Sequence, residues 1–225
     1  MLSTVLYSAI LAFAVSAQNQ LPAGVTKIAP VQSVPFCTFG GITQGTGQQL
    51  PNGGVMCNST PQGLIPDVNK MISSFISKPE SGSTVDASKD MAIEFTSINL
   101  MSGFSTNPDT EFMIVPQTLD PQNGLIQGHQ QIVIQALGDA KLAPDASKPD
   151  FFQAVNTKSD ANGRTTFQVN VPAGSLKANG VYRICTIAAA ASHQPTIMAV
   201  AQRGAQDDCI RVTVTGANGG AARRR

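Results

Sequence analysis

The sequence predicts an all-β fold: an antiparallel β-sandwich, immunoglobulin-like, with an irregular disulfide-pinned N-terminal arm. Three observations lead to this fold class. Short runs of alternating apolar and polar residues begin at Met91, loops rich in Gly, Pro and Asn separate these runs, and four cysteines follow an apolar N-terminus. The chain is therefore expected to bury one core between two sheets.

Six strands are predicted from period-two alternation, and the fourth follows the turn pair Asn162-Gly163. Their inward-facing residues are predicted to include Ile93, Phe95, Ile132, Ile134, Phe167, Val169 and Val171. The predicted strands cover residues 92–98, 112–115, 128–135, 164–171, 181–187 and 209–215.

The strand at 181–187 carries the argument for an immunoglobulin-like arrangement. Tyr182 lies three residues before Cys185, whereas immunoglobulin domains place the tyrosine two residues before the cysteine, so the analogy concerns the fold alone. A bridge from Cys185 to Cys209 needs Cα atoms within about 7 Å. We therefore predict that this strand stops near Ile187 and that residues 188–207 form a long, compact excursion.

Residues 18–88 are predicted to form the irregular arm, because residues 39–54 are rich in Gly, Gln, Pro and Thr without an apolar period. Within the arm, apolar residues from Val68 to Ile76 fall at helical spacing after Asp67, a candidate N-cap. The same residues also fit an extended crossing segment. The sandwich domain is predicted at residues 89–216, followed by a flexible basic tail at 217–225.

The first 17 residues have the character of a secretory signal peptide, with cleavage expected after Ala17. Their apolar run is shorter than the roughly 20 residues that a membrane-spanning helix needs, and no lipid-anchor signal ends the chain. The sequence thus predicts a secreted protein, extracellular or in a cell wall, without a transmembrane anchor.

Cysteine number and spacing fit disulfides in such a protein. Of the three pairings that four cysteines allow, we predict the sequential ones, Cys37 with Cys57 and Cys185 with Cys209. Asn58-Ser59-Thr60 follows directly in a Pro/Gly-rich segment, which predicts N-glycosylation of Asn58.

Charge argues against nucleic acid as a partner. Only 13% of the residues are charged, and removing the three arginines of the tail from the net charge of +1 leaves −2 for the rest of the chain. Phosphate binding needs a concentrated Lys/Arg face, which the body lacks. The tail is interpreted as a flexible end, with a processing site or a weak contact to an anionic surface as alternatives.

The two histidines are the first candidates for chemistry. His129 starts a predicted strand and His193 lies in the excursion. If both lie at one end of the sandwich, they are candidates to share a metal, with Asp207 or Asp208 as a third ligand. A structural role, with each ring hydrogen-bonded to loop backbone, is favoured because the pair has no defined ligand spacing.

No catalytic or cofactor-binding residue is predicted, since the sequence marks no activated nucleophile. Asp207 and Asp208 are adjacent, so on a strand they point to opposite faces and are disfavoured as a joint acid/base pair. Arg203 is predicted to hold a turn by contacting these carboxylates. The candidate functional loop comprises His193, Gln194, Arg203, Asp207 and Asp208.

Five motifs of the chain are distinctive: Asn107-Pro108-Asp109, Val115-Pro116-Gln117, the run from Gly124 to His129, His193-Gln194-Pro195 and the run from Ala201 to Cys209. Together they resemble a family of small secreted fungal proteins, some of which are mislabelled as ribosomal proteins. The resemblance covers roughly residues 64–214. It implies an extracellular or cell-wall protein of a fungus, in some members an antigen or host-interaction factor. The family often reads Gly-His-x-His, where this chain has Gln131, which weakens a metal site.

These features favour a non-catalytic binding or host-interaction protein without a cofactor. The expected partner is a cell-wall polysaccharide or an extracellular protein, although sugar-stacking residues are scarce because Trp is absent and only Tyr7 and Tyr182 occur. One alternative is a metal-binding protein or enzyme that uses His129 and His193. Another is a structural cell-wall component.

Overall fold

The computed structural model describes Thr26, Cys37 and residues 43–50, 54–138 and 141–217. The predicted signal peptide and all but the first residue of the predicted tail lie outside these residues. Short strands make up the regular structure, together with one 3-10 turn at Val68–Lys70. The strands are β1 Thr43–Gln44, β2 Met56–Cys57, β3 Ser73–Lys78, β4 Thr84–Asp86, β5 Met91–Ile98, β6 Leu100–Ser102, β7 Ile126–Ala136, β8 Phe151–Val155, β9 Thr165–Val171, β10 Gly180–Ala190 and β11 Cys209–Thr215.

Two facing sheets confirm the all-β prediction. The large sheet has the order β4-β11-β10-β7, and β7 also pairs with β6 near its start and with β8 along its middle. The small sheet has the order β3-β5-β9. Most pairs are antiparallel, but β4 runs parallel to β11 and β6 runs parallel to β7. A separate parallel pair, β1 and β2, belongs to the arm.

The core lies between these sheets and follows the predicted alternation. Phe95 of β5 stacks on Phe167 of β9, with ring centroids 4.7 Å apart. Tyr182 is fully buried, and its hydroxyl donates to the Ala178 carbonyl at 2.9 Å. The predicted inward residues are all buried: Ile93, Phe95, Ile132, Ile134, Phe167, Val169 and Val171.

Both predicted disulfides are present. Cys37 bonds Cys57, with Cα atoms 5.7 Å apart, and Cys185 bonds Cys209, with Cα atoms 4.2 Å apart. The second bridge joins directly opposed residues of neighbouring strands within one sheet. The disulfide of antibody domains instead links two sheets, and the immunoglobulin-like type stays a prediction.

The predicted end of the penultimate strand near Ile187 is wrong. β10 continues to Ala190 because β7 pairs with it as far as Gly128, while β11 begins only at Cys209, opposite Cys185. Beyond Cys185, β10 has no β11 residue beside it. The Asp207 carboxylate instead accepts from the Ala188 N–H at 2.6 Å. The excursion therefore covers residues 191–208.

Two other local predictions also differ from the structure. Asp67 caps the 3-10 turn by accepting from the Asn69 N–H at 2.8 Å, but the helical alternative for the next residues is wrong, because β3 pairs with β5. The sheets therefore begin with β3 and β4, inside the span predicted as arm. Residues 112–115 form turns instead of a strand, with Met113 at φ 56°.

Candidate functional site

The two histidines meet at one end of the large sheet. Residues 104–118 and 191–208 cover this end, where Ser102, Gly128 and Ala190 are in register; we call these two segments the polar cap. The ring centroids of His129 and His193 lie 4.7 Å apart in an edge-to-face arrangement. The sequence-based condition for joint action, both rings at one end, is thus met.

His129 is held inside the fold as a neutral ring. It projects from β7 beside Ala189 of β10 and has no exposed surface. Its Nδ1 lies 3.1 Å from the Phe104 carbonyl oxygen, and its Nε2 lies 3.3 Å from Gln131 Nε2. Because a carbonyl only accepts, Nδ1 carries the hydrogen and Nε2 accepts from the Gln131 amide. Both ring nitrogens are therefore engaged.

Burial lowers the pKa of His129 to about 4, with the charge of a protonated His193 as a second cause, while the bond to Phe104 acts in the opposite direction. Burial also lowers the pKa of His193, whose Nε2 donates to the Thr106 carbonyl at 3.0 Å. Both rings are thus uncharged near neutral pH. This arrangement matches the favoured structural role.

His193 adopts a left-handed conformation, φ 73°, because the chain reverses directly after β10. The reversal is closed by two backbone bonds, from His193 N–H to the Ala190 carbonyl at 2.9 Å and from Ala190 N–H to the Gln194 carbonyl at 3.0 Å. The turn therefore sets the position of the second ring.

The residues beside His193 hold the chain around Val115. The Ser192 hydroxyl lies 2.7 Å from the Val115 carbonyl oxygen and 2.6 Å from Gln194 Oε1. Gln194 Nε2 donates to the same carbonyl at 2.9 Å, and the Val115 N–H donates to Ser192 Oγ at 3.2 Å. Gln194, predicted as part of a functional loop, is thus occupied inside the cap.

Gln117 is a second internal brace, which the sequence marked only within a resemblance motif. It is 1% exposed, and its amide group donates to the carbonyls of Leu64 and Ile197 at 2.8 and 3.0 Å. Its Oε1 accepts from the Ile197 N–H at 2.8 Å. One side chain thereby ties the segment at residue 64 to both halves of the cap.

The two aspartates serve separate backbone positions. Asp207 bonds Ala188, and burial raises the pKa of its carboxyl. Asp208 Oδ2 accepts from the Ile76 N–H of β3 at 2.8 Å, so it links the two sheets. The predicted contact of Arg203 with these carboxylates is wrong, because Arg203 donates to the Val200 carbonyl at 3.0 Å and contacts Gln206 Oε1 at 3.4 Å.

A metal site gains no third ligand in this arrangement. Within the described residues, no group of three or more His, Cys, Asp or Glu side chains is placed to hold a metal ion. The Gln131 amide donates to the Nε2 lone pair of His129, which is the lone pair that a metal ion would need. The geometry therefore supports a structural cap.

A cleft of about 170 Å³ opens where the arm meets the cap, a feature without a local sequence signal. Its lining is uncharged, and Asn58 stands at its edge in a tight turn, with Oδ1 accepting from the Thr60 N–H at 2.9 Å. The lining residues are Asn58, Thr60, Pro61, Gln62, Met113, Gln194, Pro195 and Ile197.

These features define a class of protein: a disulfide-linked all-β domain whose polar motif residues are bonded within the fold. In the described part of the chain, no helix is long and apolar enough to cross a membrane. The family profile of the CLU5d N-terminal domain matches residues 74–215, and the chain belongs to this family.

A curated relative extends beyond this domain. "Pathogenicity cluster 5 protein d" of the fungus Colletotrichum graminicola is 36% identical over 180 residues, which are 76% of this chain and 36% of the relative. The chain thus spans little more than a third of that protein's length.

Likenesses to solved structures are weak. A β-glucosidase from Listeria innocua is 13% identical with a TM-score of 0.31, over 65% of this chain and 16% of the enzyme chain. A CARDB domain from Pyrococcus furiosus, solved with di-metal ions, is 11% identical with a TM-score of 0.32, over 70% and 95% of the two chains. Both TM-scores are below 0.5, so no conclusion is drawn from them.

Proposed function

We propose that this chain is a secreted, non-catalytic recognition module of a fungus and acts on a host or cell-wall partner. The observation that carries the proposal is the internal use of the candidate loop. His193 and Gln194 bond to backbone carbonyls within the cap, and Asp207 and Asp208 accept from backbone N–H groups of β10 and β3. Groups engaged in this way stabilise a scaffold, which leaves recognition to the outer surface.

The C. graminicola relative supports the host-interaction part of the proposal, because its name places it in a pathogenicity cluster. Two disulfides and the exposed side chain of Asn58 in its sequon fit an extracellular protein that is glycosylated at this position. Since the chain matches only part of the relative, the host-interaction role is carried over for this domain alone.

An extracellular protein is the better-supported partner class. Polysaccharide binding commonly uses exposed aromatic rings as stacking surfaces. Tyr182 is fully buried, and the described aromatic side chains that are strongly exposed, Phe75 and Phe152, belong to different sheets. The exposed rings thus provide isolated apolar contacts, not a stacking platform.

The contact between the two histidine rings favours one second candidate, a metal-binding protein. With Nε2 of His193 bonded to Thr106, its Nδ1 is the ring nitrogen left to bind an ion. Native mass spectrometry of protein purified without chelator tests this candidate. Stoichiometric metal that is lost in the His193→Asn variant would establish it; asparagine is chosen because it tolerates a positive φ.

The proposed function is tested by expressing the whole chain in a filamentous fungus. We expect the protein in the culture medium, without residues 1–17, with two disulfides and with a glycan on Asn58. Retention in the wall against salt and detergent would instead indicate a structural wall component. Retention inside the cell would overturn the proposal.

A second experiment separates recognition from catalysis. The gene is deleted in the source fungus, and host colonisation is measured after complementation with wild type or with His193→Asn. Recognition by the outer surface predicts that a folded His193→Asn protein restores colonisation as well as wild type. Loss of colonisation with an intact fold would favour the metal or enzyme alternative.

A further inference from the structure

The outer face of the large sheet, opposite to the core, combines apolar and basic side chains. On β10 and β11 the even-numbered residues from Tyr182 to Ala188 and from Ile210 to Val214 are buried, so the odd-numbered residues point outward. Val133 of β7 and Phe152 of β8 are in register with this side of β10. We use the name arginine–disulfide face for these two residues together with five outward residues of β10 and β11: Arg183, Cys185, Ile187, Cys209 and Arg211.

The apolar part of this face is a row that crosses four strands. Register places Phe152 opposite Val133, Val133 opposite Cys185, and Cys185 opposite Cys209. Phe152 is 52% exposed, and Ile187, one row further along β10, is 36% exposed. Cys185 itself is buried, so the accessible apolar groups of the row are the exposed Phe152, the half-buried Val133 and the exposed Cys209. The solvent side of an antiparallel sheet is normally polar, and exposed apolar groups clustered on it are typical of an interaction site.

The basic part lies one row away from the disulfide. Arg183 and Arg211 are directly opposed on β10 and β11, an arrangement in which like charges repel. Arg183 contacts Gln135 Oε1 at 2.6 Å, and its Nε is buried without a hydrogen-bond partner. Within the described residues, no ion pair joins either guanidinium to a carboxylate.

The segments that bond to Gln135, Ala136 and the Arg211 backbone carry three carboxylates, and within the described residues none of them forms an ion pair with either arginine. Asp145 pairs with Lys148 at 3.1 Å, and Asp150 accepts from the Ala136 N–H at 2.7 Å. Glu80 belongs to the turn whose Gly82 N–H donates to the Arg211 carbonyl, and its side chain forms no ion pair with another described residue. Arg211 is exposed and Arg183 is half-buried, so their neighbouring guanidinium groups remain available to an external anion, whereas the buried Nε of Arg183 does not face solvent.

We propose that the arginine–disulfide face binds an acidic peptide segment of a protein partner, with apolar side chains of that segment on the Phe152–Cys209 row. The inference deepens the proposed recognition function by assigning its surface and partner chemistry. Guanidinium groups bind carboxylates in a bidentate, charge-assisted manner. A sulfated polysaccharide would satisfy the arginines but supplies no apolar side chains for the row, so the peptide is favoured.

The test is a display selection of short random peptides against the biotinylated full-length protein. We expect enriched peptides to combine Asp or Glu with apolar residues. Their affinity should fall by about tenfold or more in Arg211→Glu and by a smaller factor in Phe152→Ser, since charged and aromatic anchors dominate such contacts. Arg164→Glu is the matched control, because it makes the same charge change just before β9, in the other sheet.

Arg211→Glu is suited to this test because it should not harm the fold. Glutamate opposite Arg183 replaces a repulsive cross-strand pair with an attractive one, so the melting temperature is expected to equal or exceed that of wild type. A drop in binding then reports on the face itself. Heparin binding is measured in parallel, with wild type and both charge variants.

The outcomes distinguish the inference from the proposed function. Peptides that bind wild type and Arg211→Glu equally would overturn the assignment of this face while leaving recognition intact. Enrichment without acidic residues, or loss of heparin binding in Arg211→Glu without any peptide selection, would overturn the peptide partner. Failure of secretion would refute the proposed function, whichever surface the peptides use.

Discussion

The space between the sheets and the polar cap are equally buried, but they are held by different interactions. Phe95 and Ile184 in the core, His129 on β7 beneath the cap and Ser192 within the cap all have no exposed surface. The core depends on apolar volume, which tolerates exchange among similar side chains. The cap depends on directed hydrogen bonds, and a buried group that loses its partner has no replacement. Equal burial thus conceals unequal tolerance.

The largest effect is expected from Phe95→Ala, which breaks the core. The change removes the ring that stacks on Phe167 and leaves a cavity, so the free energy of unfolding should fall by about 4 kcal/mol. Urea unfolding measures this loss. Phe75→Ala is the matched control, because this ring is 64% exposed on the neighbouring part of the same sheet, and its change should stay within about 0.5 kcal/mol.

Acid should lower the stability of the fold through the buried His129 ring beneath the cap. The pKa of His129 falls from its ordinary 6.5 to about 4 in the fold, so between these values the unfolded chain binds a proton that the folded chain does not. The free energy of unfolding should therefore decrease as the pH falls from 6.5 to about 4, by up to about 3 kcal/mol from this ring.

NMR titration of the His129 Hε1 signal checks this directly, with urea unfolding across the same window. The raised pKa of Asp207 acts in the opposite direction, because its folded carboxyl binds a proton more readily than in the unfolded chain. A His129 signal that titrates near 6.5 in the folded protein would contradict the neutral, buried ring.

A smaller effect is expected from removing the Gln117 brace. Gln117→Ala leaves the Leu64 carbonyl and both backbone groups of Ile197 without this partner, which should cost about 2 kcal/mol. Hydrogen exchange of the Ile197 amide should accelerate. Gln168→Ala, at an exposed position of β9, is the control and should change neither the free energy of unfolding nor the exchange rate of the Ile197 amide. Equal losses of stability in both variants would contradict a special role for the Gln117 hydrogen bonds.

The smallest change in stability is expected at Asp208, whose carboxylate links the cap to β3. Asp208→Asn keeps an acceptor oxygen for the Ile76 N–H but removes its charge, so we expect a loss of about 1 kcal/mol. Unfolding in urea at neutral pH measures it. A loss as large as that of Phe95→Ala would mean that the cross-sheet bond, not the core, dominates stability.

Sequence patterns predicted the core because its information is local. Phe167, Val169 and Val171 alternate within one strand, and their burial follows from that period alone. β3 was obscured because Phe75 is exposed beside buried Ile76, which produced an apparently helical spacing. The run at 112–115 was grouped with the alternating strands although all four of its residues are apolar, and its strand prediction failed because the chain turns there.

The cap resisted prediction because its bonds join distant segments. Gln194 reaches Val115 across 79 positions, and His193 reaches Thr106 across 87. Nothing in the residues around either position specifies such partners. The number of cysteines, by contrast, indicated two disulfides, and the sequential pairing was chosen from the three that four cysteines allow.

The bridge between Cys185 and Cys209 has a consequence for the adjacent strands. A covalent bond between directly opposed residues prevents β11 from sliding along β10, so the register is fixed at that point. Arg183 and Arg211, one row away, therefore cannot relieve their repulsion by a shift of the strands. As long as the disulfide is intact, the two guanidinium groups stay neighbours, and only side-chain rotation or a bound anion can reduce their repulsion.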